Sequence, residues 1–323
     1  MNKEIIKNNI KELASGNFFY ETYCQFANEN ENNEVVSAHI FNAILISCQL
    51  IEDIEIAKKV IIDLLRTENY STDGVFYFFN NPERILSIII SKYTKISDEE
   101  ILERLKHGYA VHFTTPNIMN IIKEQGVFKC TNKMFSKSDE QLIELAQNIQ
   151  LSNKPDSYST GKILSKGFGF GEGISISSQT VAFWMNHTPE SLSFLFGGNI
   201  YTRNKIKAFE FVREAIDTLD ENLKQQILET LNTIWDRLIG DNLSLGAILV
   251  DRDGIEYEKV TYWSYNPPKV EEIRPYKDDL NDLISTENDR IHQDIDVKDL
   301  DFIEVPSISM LEEYRLNNPH ITK

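Results

Sequence analysis

The chain has 323 residues, 41% of them hydrophobic and 26% charged, which is ordinary for a globular protein and long enough for two domains that each bury a core. Fifty acidic residues against 33 basic ones leave a net charge of -17. That balance disfavours broad electrostatic binding to DNA or RNA, although a local basic patch or an enzyme acting on a flipped base escapes the argument.

Cys24, Cys48 and Cys130 are odd in number, widely spaced and without a Cys-x-x-Cys pair, so neither a disulfide framework nor a zinc site is expected. Cys24 and Cys48 fit apolar helix faces. Met1-Asn2-Lys3-Glu4 lacks the apolar core of a signal peptide, and no apolar run of about 18 residues occurs. The expectation is a cytoplasmic protein with no membrane partner.

From Ile5 to about Leu105 the pattern is helical, with breaks at Gly16, Asn28 to Asn33, Tyr70 to Gly74 and Asn80-Asn81-Pro82. Val35 to Ile51 and Ile54 to Leu65 read as amphipathic helices, Pro82 to Ile90 as another, and Ser97 with Glu100 as a capping box for a last one ending near His107-Gly108. Roughly five to seven helices would form a small bundle. His39 sits on an otherwise apolar helix, where a core or edge histidine is expected in place of a ligand. No constellation here does chemistry, so residues 1–104 are read as a helical recognition, regulatory or scaffolding domain.

The informative stretch begins at Tyr109. Tyr109 to Phe113 is an aromatic and β-branched run that suits a buried strand and delivers His112 beside Thr114 and Thr115. Thr115 then caps a helix whose first residue is Pro116; Ile118, Ile121 and Ile122 form its apolar face, and Gly126 stops it. Val127-Phe128 extends a short strand, and Asp139 to Ile149 reads as a helix.

Gly161 to Gly173 is glycine-rich, with Gly167, Gly169, Gly171 and Gly173 alternating near Lys162, Lys166, Phe168 and Phe170. Such a loop brings backbone amides close to a ligand. It lacks the following Gly-Lys-Ser/Thr of a nucleotide P-loop, and a plain loop between strands has the same look. Ile174 to Ile176 is a short strand, and Ser177 or Ser178 caps a helix from Gln179 to Asn186 carrying Phe183 and Trp184. Strand, hydroxyl cap and helix thus occur twice, and two such edges facing each other would make a cleft.

Asn204 to Thr218 and Leu219 to Ile239 read as helices. Leu243 to Asp251, the Asp253-Gly254 turn and Ile255 to Tyr265 read as a β-hairpin. Glu287 to Asp294 is a strand, Asp296 to Leu300 a helical turn, Phe302 to Pro306 an edge strand and Ile308 to Asn317 a terminal helix.

Three of these pieces resemble the ADP-ribosyltransferase superfamily. His112-Phe113-Thr114-Thr115 with Asn117 to Gly126 is similar to that family's first strand and helix, whose histidine binds the ribose of NAD. Gly173-Ile174-Ser175-Ile176-Ser177 with the helix after it resembles the second motif, which lines the nicotinamide pocket. Ser175 stands where the polymerase-like branch has a tyrosine, leaving Phe183, Trp184 and Phe170 as stacking candidates. Glu287 to His292, Asp294 to Asp296 and Phe302 to Pro306 resemble the strand bearing the catalytic glutamate and the two closing segments. Glu256-Tyr257-Glu258 also matches the Glu-x-Glu pair of the arginine-specific branch. Glu287 is preferred to Glu258 because its spacing to Ile295 and Val305 fits better.

The resemblance implies an α+β chain: an N-terminal α-helical bundle, then an ADP-ribosyltransferase-like split β-sheet domain with inserted helices over 105–323. It implies NAD as substrate and no metal. Glu287 or Glu258 would stabilise the developing oxocarbenium ion, while His112, Phe113, Thr114, Lys166, Gly171, Gly173, Ser175 and Phe183 would hold NAD. The expected activity is mono-ADP-ribosyl transfer to a macromolecule, by analogy in bacterial defence, including phage defence, or as a toxin. The acidic charge favours a protein acceptor, and the helical domain is a candidate surface for a protein partner. The alternatives are NAD hydrolysis, an RNA 2'-phosphotransferase on the same fold, or a helical interaction protein with a degenerate transferase fold.

Overall fold

Helices and small antiparallel sheets make up the protein in a computed structural model that describes residues 2–27, 33–67, 82–129, 174–176, 205–241, 244–261, 272–274, 288–291 and 293–321. The chain is α+β. Six helices come first: α1 (Lys3–Ser15), α2 (Asn17–Phe26), α3 (Asn33–Leu50), α4 (Ile54–Thr67), α5 (Pro82–Ser91) and α6 (Asp98–Lys106). The Ser97 hydroxyl accepts from Glu100 N at 3.3 Å to start α6, as the capping-box pattern predicts.

One expectation fails in α3. From Val36 to Leu50 every described side chain is buried, so this helix is apolar all round where an amphipathic one was expected. The cause is its position: α1, α2, α4 and α6 all pack around it, leaving it no solvent face. His39 is 6% exposed, and burial pulls its pKa down to about 4, so it is a neutral core histidine at physiological pH. Cys24 and Cys48 are buried free thiols, and burial pushes both thiol pKa values up.

The central three-stranded sheet is β1 (Tyr109–Thr114), β4 (Leu245–Asp251) and β9 (Leu300–Val305), antiparallel in the order β1-β4-β9. Its residues alternate between two cores. Tyr109, Val111, Leu245, Ala247, Leu249, Ile303 and Val305 face the first six helices and Leu311 of the terminal helix α10 (Ile308–Asn317). Ala110, Ile248, Val250 and Leu300 face the second core. That core is built with α7 (Pro116–Gln125), α8 (Lys205–Ala215), α9 (Glu221–Ile234) and a π-helical turn, Trp235–Ile239. The first hundred residues therefore share one continuous core with the sheet.

Charge pairs reinforce that packing. Lys3, Lys7 and Lys11, four residues apart on α1, meet acids of the sheet: Lys3 bonds Asp251 at 2.5 Å and also Asp253, and Lys7 and Lys11 reach Asp301 at 3.3 and 2.6 Å. The Lys3 ammonium beside Asp253, helped by His107 at 2.7 Å, holds that carboxyl below its usual range. A depressed carboxyl pKa contributes stability above the unfolded value, which disappears as pH falls through the folded one. We expect Asp253→Asn to flatten the acid limb of a thermal stability profile below about pH 4, by a small amount because the pair is partly exposed.

A second correction concerns the hairpin. Gly254 makes the tight turn, with φ +75°, but β4 does not pair with the strand after it. Leu245 to Val250 are buried and both edges of β4 are taken by β1 and β9. The chain crosses instead to a second sheet of β3 (Ile174–Ile176), β7 (Asn288–Ile291), β5 (Tyr257–Thr261) and β6 (Glu272–Arg274), in the order β3-β7-β5-β6. A two-stranded ribbon, β2 (Val127–Phe128) with β8 (Ile295–Asp296), lies beside α7, and the Val297–Asp299 turn leads into β9.

Candidate functional site

His112 is placed by local rules that begin in the turn before it. α6 ends at Lys106 with His107 as its C-cap, and only glycine fits at 108, where a Cβ would lie 1.8 Å from Gln49 Oε1. Gln49, 3% exposed on α3, accepts from Tyr109 N at 2.5 Å and donates to Leu45 O at 2.9 Å. Tyr109 N–H thus points away from β4. Alternation along an antiparallel strand then bonds Ala110, His112 and Thr114 to β4 and turns the backbone N–H and C=O of Val111 and Phe113 to the outer edge.

The same alternation separates the side chains. His112 lies half-buried on the second-core face, its ring edge-on to Phe128 at 5.0 Å. Thr114 is 4% exposed, opposite Gly246. Phe113 faces the other way and packs edge-on against Phe41 of α3 at 5.3 Å. The geometry does not bring its ring to His112's side of the strand.

Thr115 fulfils its predicted role and adds another. Its hydroxyl accepts from Ile118 N at 3.2 Å and donates to Leu238 O at 2.5 Å in the π-helical turn. Asn117 Nδ2 reaches the Asp236 and Arg237 carbonyls of the same turn at 3.3 and 3.2 Å. The last carbonyls of one helix are therefore capped by the first residues of α7. Gly126, at φ +74°, stops α7, and Gly246 lets Met119 and Thr115 come close to β4. Thr115→Val keeps the shape and loses both bonds; a loss of about 2 kcal/mol, read as a lowered unfolding midpoint, is expected.

The two sheets approach each other at β1 and β3, with no ladder between them among the described residues. Within the second sheet β7 is the direct neighbour of β3, and β5 comes next. The register aligns Ser175 with Arg290 and Arg290 with Glu258, so these three positions share one cross-strand row. Strand spacing puts the Cα atoms of Ser175 and Glu258 about 10 Å apart. Arg290's central place was hidden in the sequence because only the pairing register reveals it.

Lys166, Gly171, Gly173, Phe183 and Glu287 lie outside the described residues, as do Phe170, Trp184 and the predicted helices Asp139 to Ile149 and Gln179 to Asn186. Glu287 immediately precedes β7 in the sequence. Near His112, Lys123 of α7 sits over the Phe302 ring at 4.7 Å, and Phe302 is joined to His112 through Ile248 in the register. Nothing in the sequence indicates that Phe128 packs against His112 or that Lys123 lies over Phe302.

Among the described residues no group of three or more His, Cys, Asp or Glu side chains is set to hold a metal ion, and no helix is long and apolar enough to cross a membrane. The sequence matches no protein-family model, no curated protein and no solved structure, so its function has to be argued from its own residues and geometry.

Proposed function

We propose that the chain is a mono-ADP-ribosyltransferase with a split-sheet catalytic fold, cleaving NAD and passing ADP-ribose to a macromolecular acceptor. One observation carries this reading: the three strands that bear the family-like motifs are neighbours. The His112 strand lies beside the Ser175 strand, and the Ser175 strand is paired with β7, which follows Glu287. These pieces are far apart in sequence, and independent chance resemblances have no reason to meet in this order.

The chemistry suits the residue types. The bond between nicotinamide nitrogen and ribose C1′ breaks, its electron pair leaves with nicotinamide, and C1′ becomes an oxocarbenium centre. A glutamate carboxylate beside that centre stabilises the charge; one positioned electrostatic partner is worth roughly 3–4 kcal/mol of barrier. The acceptor's nucleophile then bonds C1′ and gives up its proton. His112 holds the ribose and fixes its geometry. Glu287 is preferred as the carboxylate because the strand that begins one residue after it adjoins β3, with Glu258 second, in register with Ser175 but one strand further away. Thr114, Ser175, the glycine loop with Gly171 and Gly173, Lys166 and Phe183 complete the NAD site. The acidic surface favours a protein acceptor, and a cytoplasmic defence or toxin role follows from family analogy alone.

The test is incubation with NAD labelled in its adenylate part and with lysate, following free nicotinamide and label on macromolecules. Release with transfer is the expected result. Release without transfer makes the chain an NAD hydrolase; no release and no NAD binding sinks the enzyme reading.

A further inference from the structure

We propose that Gln49 of the buried helix α3 is a positioning residue for His112, so that the helical layer sets the geometry of the candidate site. Three observations carry this. The Gln49 amide is the acceptor for Tyr109 N at 2.5 Å, the first N–H of β1, and its own NH2 is anchored on Leu45 O at 2.9 Å, so it is held from both ends. Gly108 has no room for a side chain because Gln49 occupies it, and the Gly108 carbonyl accepts from Arg252 N at 2.9 Å, so the turn is fixed on both sides. Finally, Phe113 is seated on Phe41, about two turns before Gln49 on the same helix.

Among the described residues β1 has a ladder to β4 on one side only. On its other side Gln49 supplies a hydrogen bond at the strand's first residue and satisfies Tyr109 N–H. Helix α3 therefore grips the strand at its first residue and at Phe113, and His112 lies between the two grips. A six-residue strand held at those two points passes a shift of α3 to the imidazole.

Two variants perturb this link by different routes. Gln49→Met keeps the volume and removes the acceptor; Gly108→Ala keeps Gln49 and displaces its amide. Both are compared with wild type in the full chain, by hydrogen exchange at the Tyr109 amide and by the imidazole NMR signals of His112, assigned with His112→Gln. Loss of one buried hydrogen bond should speed Tyr109 exchange by roughly tenfold. The expected result is that rise together with displaced His112 signals in Gln49→Met, reproduced in Gly108→Ala where it folds. An unchanged Tyr109 rate, or faster exchange with His112 signals in place, overturns the proposal.

The effect on turnover rests on the transferase reading: Gln49→Met should lower kcat for nicotinamide release more than it raises KM. If wild type fails to cleave NAD, that reading falls while the NMR and exchange results still decide the role of Gln49.

Discussion

Expressed without the first 104 residues, the remainder of the chain is expected to yield an unfolded or aggregating product. The reason is the face of the central sheet that the helices cover. Val111, Leu245, Leu249, Ile303 and Val305 are each no more than 3% exposed and all face the helical layer. Uncovering five such side chains forfeits on the order of 10 kcal/mol, comparable with the about 5–15 kcal/mol that holds a whole domain folded. The loss of Gln49 from Tyr109 N and of the α1 lysines from Asp251 and Asp301 adds to it. Circular dichroism melting and the dispersion of a nitrogen–proton NMR spectrum give the answer. A cooperative unfolding transition with dispersed signals for 105–323 would show that the sheet stands without its helices. Phe41→Ala in the full chain is the graded version, with a loss of about 3–5 kcal/mol for a buried aromatic touching Phe113.

Local signals in the sequence were reliable wherever a short stretch determines its own geometry. Thr115, Pro116 and Gly126 bound α7 as a capping hydroxyl, an N1 proline and an αL glycine should, and Ser97 starts α6 for the same reason. The strands at Ile174 and Leu245 were legible from their apolar runs, and the last one in part: the pattern marks Phe302 to Pro306, where β9 runs Leu300–Val305. What the pattern did not carry was partnership. Leu245 to Asp251 followed by a glycine turn has the appearance of the first arm of a hairpin, yet its partners are β1 and β9, whose paired residues lie 50 or more positions away on either side. A strand buried on both faces has its edges claimed by long-range pairing, which no local turn signal reports.

The candidate site divides along the same line. The placement of His112 was legible because strand, hydroxyls and capped helix are contiguous around it. The face that Phe113 takes was not, because one step along a strand reverses the face, and which face is which depends on packing that the sequence does not state. Helix α3 was misread for a related reason: an all-apolar pattern with occasional Ser, Asn and Gln looks amphipathic until every neighbour is in place. The bond from Tyr109 N to Gln49 was invisible, since a glutamine near the end of an apolar helix gives no hint that it meets the start of a strand 60 residues later.

Glu287→Gln is expected to lower NAD cleavage by about 100- to 1000-fold, the usual cost of removing one positioned electrostatic group, while Glu258→Gln costs much less. β3 pairs with β7, which begins one residue after Glu287 in the sequence, whereas Glu258 stands on β5, one strand beyond, across Arg290. Oppositely charged residues directly across a ladder stabilise one another, so Arg290 and Glu258 also have a structural reason to be paired. Glu258→Gln should therefore show mainly in stability, by about 1 kcal/mol or less, and Glu287→Gln mainly in rate. Nicotinamide release measured beside thermal unfolding for the two variants separates rate from stability. The reverse outcome, a dead Glu258→Gln enzyme and an active Glu287→Gln one, would move the catalytic carboxylate to β5. Full activity in both would remove either glutamate from the chemistry.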